Sequence, residues 1–195
     1  MDRAETRPLA FSIPNVLTYL RIAAVPALAA CLYFLDGDLG RWSAFAVFVS
    51  AGLTDWLDGY LARIWAQQSR LGRMLDPIAD KLLVGIALLM LVHDHTISGI
   101  SIWAAVIVLC REILVSGLRE YLAELNVKVH VTLLAKWKTT LQMVALAVLL
   151  VGPAAQDMVP HLPLAGLLLL WLAALLTLWT GYDYLRAGIR HAMDG

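Results

Sequence analysis

Six long apolar runs constrain this chain more than anything else in it. They fall at roughly 16–35, 42–62, 75–93, 100–121, 133–152 and 162–184. Each is close to the roughly 20 residues with which an α-helix crosses the hydrocarbon core of a bilayer. A backbone in lipid must satisfy its own polar groups, so runs of this kind fold as helices. Composition agrees: of 195 residues, 61% are hydrophobic and 15% charged, where soluble domains carry about a quarter charged. The expected fold is an all-α integral membrane protein with six transmembrane helices. The breaks between runs are "DGDLGR" (36–41), the 63–74 loop, "HDHTISG" (93–99), "AELNVKVH" (123–130) and "GPAAQDMVPHLP" (152–163). Their Gly, Pro, Asp and Asn content suits helix ends and turns.

The first run is not read as a cleavable signal peptide. It is long, carries Arg21, and lacks a basic region before it and a small-residue cleavage site after it. Residues 1–12, "MDRAETRPLAFS", hold too few apolar positions to span. They fit a short N-terminal interfacial segment with Leu9 and Phe11 among the headgroups, and a disordered tail about as well. The chain is accordingly divided into a segment at 1–12 and a membrane domain at 13–195. Net charge is zero, which gives no argument for a nucleic-acid partner. Cys31 and Cys110, far apart and both in apolar runs, read as reduced packing residues.

Lysine and arginine placement sets the orientation. With six spans both termini share a side, and 14 of the 15 basic residues fall on it, Arg41 alone lying opposite. That side is expected to be cytoplasmic. It also carries Asp55, Asp58, Asp76 and Asp80, four aspartates within 26 positions. Charges near lipid are costly and tend to mark function. Asp55 and Asp58 are three apart, and Asp76 and Asp80 four apart. Each pair therefore projects from one helix face, and a tight connection would bring the two faces together. Four such carboxylates repel unless cations sit among them. With no Cys or His nearby, all-oxygen ligands suit Mg²⁺ or Mn²⁺ rather than zinc. Two such ions form the usual clamp for displacement at phosphorus. Gly59 and Gly72 allow close backbone approach of a bulky ligand. Arg63 and Arg73 suit phosphate oxygens.

The stretch 55–80 resembles the signature D-x-x-D-G-x-x-A-R-x(8)-G-x-x-x-D-x-x-x-D of the CDP-alcohol phosphatidyltransferases. Every fixed position is present: Asp55, Asp58, Gly59, Ala62, Arg63, Gly72, Asp76 and Asp80. The resemblance implies a six-helix membrane fold, usually a homodimer, in the bacterial inner membrane, with its site facing the cytoplasm. It implies displacement of CMP from a CDP-linked lipid such as CDP-diacylglycerol by an alcohol. On this likeness Asp55, Asp58 and Asp76 are ligands of two Mg²⁺ or Mn²⁺ ions. Asp80 would be the general base and contact the second ion. The CDP-lipid would be held by Gly59, Ala62, Arg63, Gly72 and Arg73. Asn15 and Thr18 look like pocket residues near the cytidine or diphosphate, as does Arg21, and helix packing explains Asn15 and Thr18 equally well.

The signature leaves the alcohol open. Arg111, Arg119, Lys136 and Lys138 lie at or near the cytoplasmic ends of the fourth and fifth runs. Arg111 stands inside an apolar run, where a charge needs a partner. Adjacent helix positions do not face each other, which argues against a simple Arg111–Glu112 pair. A second anionic group, as in glycerol 3-phosphate, would explain the convergent cations, and the positive-inside effect is the plainer alternative. "IPNVLTYLR", "REI…GLREYLAEL", "KWKTTLQM" and "LTLWTGYDYL" look like the glycerol-3-phosphate-using bacterial branch of the family, except that Ala135 stands where Gly is expected. In that branch Arg111, Arg119 and Lys136 would hold the acceptor phosphate. Acceptors such as serine, inositol phosphate or phosphatidylglycerol would mark sister branches. A divalent-cation transporter is the reading from another class, but it favours acids at the bilayer midplane and repeated architecture. His93, Asp94 and His95 read as a polar loop, and the tryptophans near helix ends as interfacial anchors.

Overall fold

The computed structural model describes residues 13–65, 70–124 and 133–193, and side chains within 15–55, 72, 74–122 and 137–181. The expected segment at 1–12 lies outside the described residues. Among the described residues the chain is wholly helical: α1 (Ile13–Phe34), α2 (Gly37–Trp65), α3 (Arg70–His93), α4 (Ile102–Glu124), α5 (Leu133–Val151) and α6 (Leu162–Met193), with a 3₁₀ turn at Gly99–Ser101 before α4. Three stretches are long and apolar enough to cross a membrane on their own: Asn15–Phe34, Gly99–Leu122 and Leu162–Gly181. Exposure follows the same logic. Leu164, Leu168, Leu172, Leu175 and Trp179 of α6 are all exposed, and at three- and four-residue spacing they share a face. Water would penalise such a stripe, and lipid does not.

Several helices outrun their apolar runs. α2 begins at Gly37, inside the expected break, so the turn from α1 is only Leu35–Asp36. Gly37 takes φ +63°, a left-handed value that glycine adopts without strain. Asp38 then sits in the first turn of α2, where a carboxylate meets the positive end of the helix dipole. Gly40 packs directly on the end of α1, where any Cβ would collide with the carbonyl oxygens of Leu35 and Cys31. The expected loop 63–74 is likewise shorter, because α2 runs to Trp65 and α3 starts at Arg70. Charged residues at a water boundary do not interrupt a backbone hydrogen-bond ladder, so these ends continue as helix.

The chain forms two compact units, one up to Ile86 and one from Ala87. In the first, α1 packs on α2 with Leu28, Ala44, Phe48 and Ala51 buried. In the second, α6 packs on both α4 and α5. Ala104, Ala145, Ala173 and Ala174 are buried there, and small residues of this kind let membrane helices approach closely. The Trp171 indole N–H donates to the Ser101 hydroxyl at 3.3 Å, tying α6 to the turn before α4. In the 93–99 loop, the Asp94 carboxylate accepts from the Thr96 N–H at 2.9 Å and His95 takes φ +61°. The trio thus shapes its own turn. Both cysteines are unpaired.

Candidate active site

The first unit gathers its charges around one side chain of α1. Asn15, Thr18 and Arg21 lie at three-residue spacing, and each is about 1% exposed. With Leu28 two turns further on they form the inward stripe of an otherwise apolar helix. The Thr18 hydroxyl donates to Asp76 Oδ1 at 2.5 Å. The Arg21 guanidinium nitrogen Nη1 stands 3.0 Å from Asp55 Oδ1, 3.3 Å from Asp80 Oδ1 and 3.8 Å from Asp76 Oδ1. α2 supplies Asp55, and α3 supplies Asp76 and Asp80 one turn apart. The Arg21 side chain is fully enclosed, whereas Asp55 and Asp80 are 48% exposed and Asp76 25%. The cation is therefore inside and the carboxylates open outward, toward whatever enters.

Three described carboxylates meet one guanidinium, which leaves surplus negative charge. A carboxylate donor set with that surplus suits a hard divalent cation. Among the described residues there is nevertheless no preformed cage of three acidic, His or Cys side chains. One oxygen of each of Asp55, Asp76 and Asp80 instead lies 3.0–3.8 Å from the single nitrogen Arg21 Nη1. Asp58 lies in α2 and Gly72 is buried in α3. The side chains of Asp58, Ala62, Arg63 and Arg73, like any contact of Gly59, fall outside the described residues.

The second unit holds a separate charged group. Glu112 Oε1 accepts from Arg111 Nη1 at 3.1 Å and from Lys138 Nζ at 2.8 Å. This corrects the expectation that neighbours on α4 do not pair: Arg111 is long enough to curl back to Glu112, whose oxygen is fixed by Lys138 across on α5. The Arg111 stem lies along α6, where a Cβ on Gly181 would stand 3.5 Å from Arg111 Cγ. Lys138 is 1% exposed, on the same α5 stripe as buried Gln142, Ala145, Leu146 and Leu149. Arg119 is exposed, and eight residues along α4 it stands about 12 Å of helix rise from Arg111. The Lys136 side chain lies outside the described residues.

Two features were overlooked at the level of sequence: Arg21 as the hub of the aspartates, and Lys138 as the buried lysine of the "KWK" pair. The helical phase of each residue, though not its partner, was available in the spacing. Positions 136 and 138 project from nearly opposite sides of a helix, and 138 alone shares the stripe 142, 145, 146 and 149. Likewise 15, 18 and 21 define a polar inward stripe on α1.

Comparison with known proteins bears on this arrangement. A family model described as CDP-alcohol phosphatidyltransferase matches residues 11–179. A Rickettsia bellii protein named CDP-diacylglycerol–glycerol-3-phosphate 3-phosphatidyltransferase is 45% identical over 176 residues, covering 90% of this chain and 94% of its own. Proteins of the same name from Escherichia coli K12 and Cereibacter sphaeroides are 42% and 39% identical, each covering 94% of this chain and 98% of its own. With helices that suit a bilayer and carboxylates gathered where the signature lies, this membrane-embedded chain belongs to the CDP-alcohol phosphatidyltransferase family.

Proposed function

We propose that the protein transfers the phosphatidyl group of CDP-diacylglycerol to sn-glycerol 3-phosphate, giving phosphatidylglycerophosphate and CMP. The observation that carries this reading is the convergence of Asp55, Asp76 and Asp80 in a chain 39–45% identical, over at least 90% of its length, to proteins named for that reaction. All six helices cross the inner membrane of a bacterium, with the aspartates on the cytoplasmic side. The placement of 14 of 15 basic residues supports that orientation. A homodimer is the assembly expected from the family resemblance.

The residues have distinct tasks. Asp55, Asp58, Asp76 and Asp80 are the ligands for two divalent cations, Mg²⁺ or Mn²⁺. When bound, these ions would offset the charge that grows on departing CMP. Thr18 fixes one oxygen of Asp76, and so its direction. Arg63 and Arg73 bind phosphate oxygens of the CDP-lipid, beside Gly59, Ala62 and Gly72, where the backbone admits the headgroup, and Asn15 borders the same pocket. The acceptor hydroxyl attacks the phosphatidyl phosphorus and the bond from phosphorus to the CMP oxygen breaks. The hydroxyl proton passes to Asp80. Arg111, Arg119 and Lys136 receive the acceptor phosphate on the family likeness, while buried Lys138 holds Glu112 beside Arg111.

The test is CMP release in detergent micelles with CDP-diacylglycerol, Mg²⁺ and a panel of acceptors. Glycerol 3-phosphate should support release, while serine, inositol phosphate and phosphatidylglycerol should not. Faster release with any of those three would move the protein to a sister branch. No release with any acceptor would overturn the enzymatic reading.

A further inference from the structure

The position of Arg21 bears on how tightly the site can hold a cation. Its Nη1 lies within 3.0–3.8 Å of one oxygen from each of Asp55, Asp76 and Asp80. A divalent cation would need to approach the same carboxylates to about 2.1 Å. A guanidinium and a divalent ion that share oxygens repel each other in a poorly screened setting, and the Arg21 side chain is fully enclosed.

We propose that Arg21 is a built-in competitor for the divalent cation. It shares carboxylate oxygens with the ion, and so lowers their affinity for it. The inference rests on reading these aspartates as the cation site. The opposite effect, in which Arg21 helps by positioning the carboxylates, is the weaker one. Asp76 is also held by Thr18, and Asp55 and Asp80 are carried on the regular helices α2 and α3. Removing the guanidinium therefore takes away more repulsion than order. A weakened site has a functional sense, because an enzyme acting through bound ions needs them to exchange contacts as substrate enters and CMP leaves.

The experiment is titration of the metal-stripped full-length protein in micelles with Mn²⁺, following free Mn²⁺ by electron paramagnetic resonance. Arg21→Gln should bind Mn²⁺ roughly 5- to 150-fold more tightly than the parent, the span typical of coupling between two groups that bind one protein. Arg21→Lys keeps the charge and should bind close to the parent, which separates competition from a packing role. Should Arg21→Gln not fold, Arg21→Gln/Asp80→Asn removes one charge of each sign, and it should bind more tightly than Asp80→Asn alone. Equal or weaker binding after loss of the guanidinium, with the parent binding normally, overturns the proposal and leaves the site reading intact. Failure of the parent itself to bind Mn²⁺ overturns both.

Discussion

Replacing Thr18 by Val tests whether the inward stripe of α1 serves the aspartates. Valine has the shape of threonine, so a buried position that is 1% exposed keeps its packing and loses only the hydroxyl. The loss includes the bond to Asp76 Oδ1 at 2.5 Å, at the short end of the range for a hydroxyl donating to a carboxylate. Hydrogen bonds to charged groups contribute about 1.5–3 kcal/mol. If the whole of that is felt in the reaction, kcat/KM falls by roughly 10- to 150-fold. Partners that orient metal ligands typically give losses of about 10–100-fold, so the two estimates meet. The assay is CMP release at saturating glycerol 3-phosphate over a range of Mn²⁺ concentrations. The loss should shrink as Mn²⁺ rises, because a misdirected ligand is an affinity defect. Thr18→Ser keeps the hydroxyl and should retain most activity. Parent-like kcat/KM in Thr18→Val, or equal losses in Val and Ser, would refute the reasoning and leave Thr18 as a packing residue.

Other outcomes follow from the same geometry. Asn in place of Asp55, Asp58 or Asp76 should reduce CMP release to near background while membrane insertion is unchanged; substantial turnover by Asp58→Asn at ordinary Mg²⁺ contradicts its assignment. Asp80→Asn retains shape but cannot take a proton, so kcat should fall steeply with CDP-diacylglycerol still bound, and recovery at high Mg²⁺ would make Asp80 a ligand only. Lys138→Met and Glu112→Gln each break the 2.8 Å ion pair. Thermal unfolding in micelles should show the double variant losing less than the sum of the singles, by a coupling of about 0.5–3 kcal/mol. Additive losses would mean that the pair contributes nothing.

Helices were legible from hydropathy because lipid leaves a spanning chain few other options. Their ends were not. "DGDLGR" reads as a break by composition, yet only Leu35 and Asp36 lie outside helix, since a polar residue at a bilayer boundary can stay in a hydrogen-bonded ladder. The convergence of Asp55 with Asp76 and Asp80 was legible because residues four apart share a helix face. Their partner was harder to see: Arg21 lies 34 residues before Asp55, and nothing local in sequence links a stripe on α1 to two later helices. The Arg111–Glu112 pair escaped because the adjacency rule describes short, ideal side chains. Here a long arginine meets an oxygen already held from α5. Helical phase identifies Lys138 as the buried lysine of the "KWK" pair, a placement the motif likeness alone does not give.

The most direct test of the account follows the acceptor atoms themselves. Purified protein in mixed micelles with CDP-diacylglycerol and Mg²⁺ is given glycerol 3-phosphate labelled in its glycerol carbons, and label in the chloroform-extractable lipid is measured against CMP released. One labelled phosphatidylglycerophosphate should form per CMP, with both lost on chelation of the metal and in Asp58→Asn. CMP release without label in lipid, or labelled lipid formed equally well by Asp58→Asn, would contradict it.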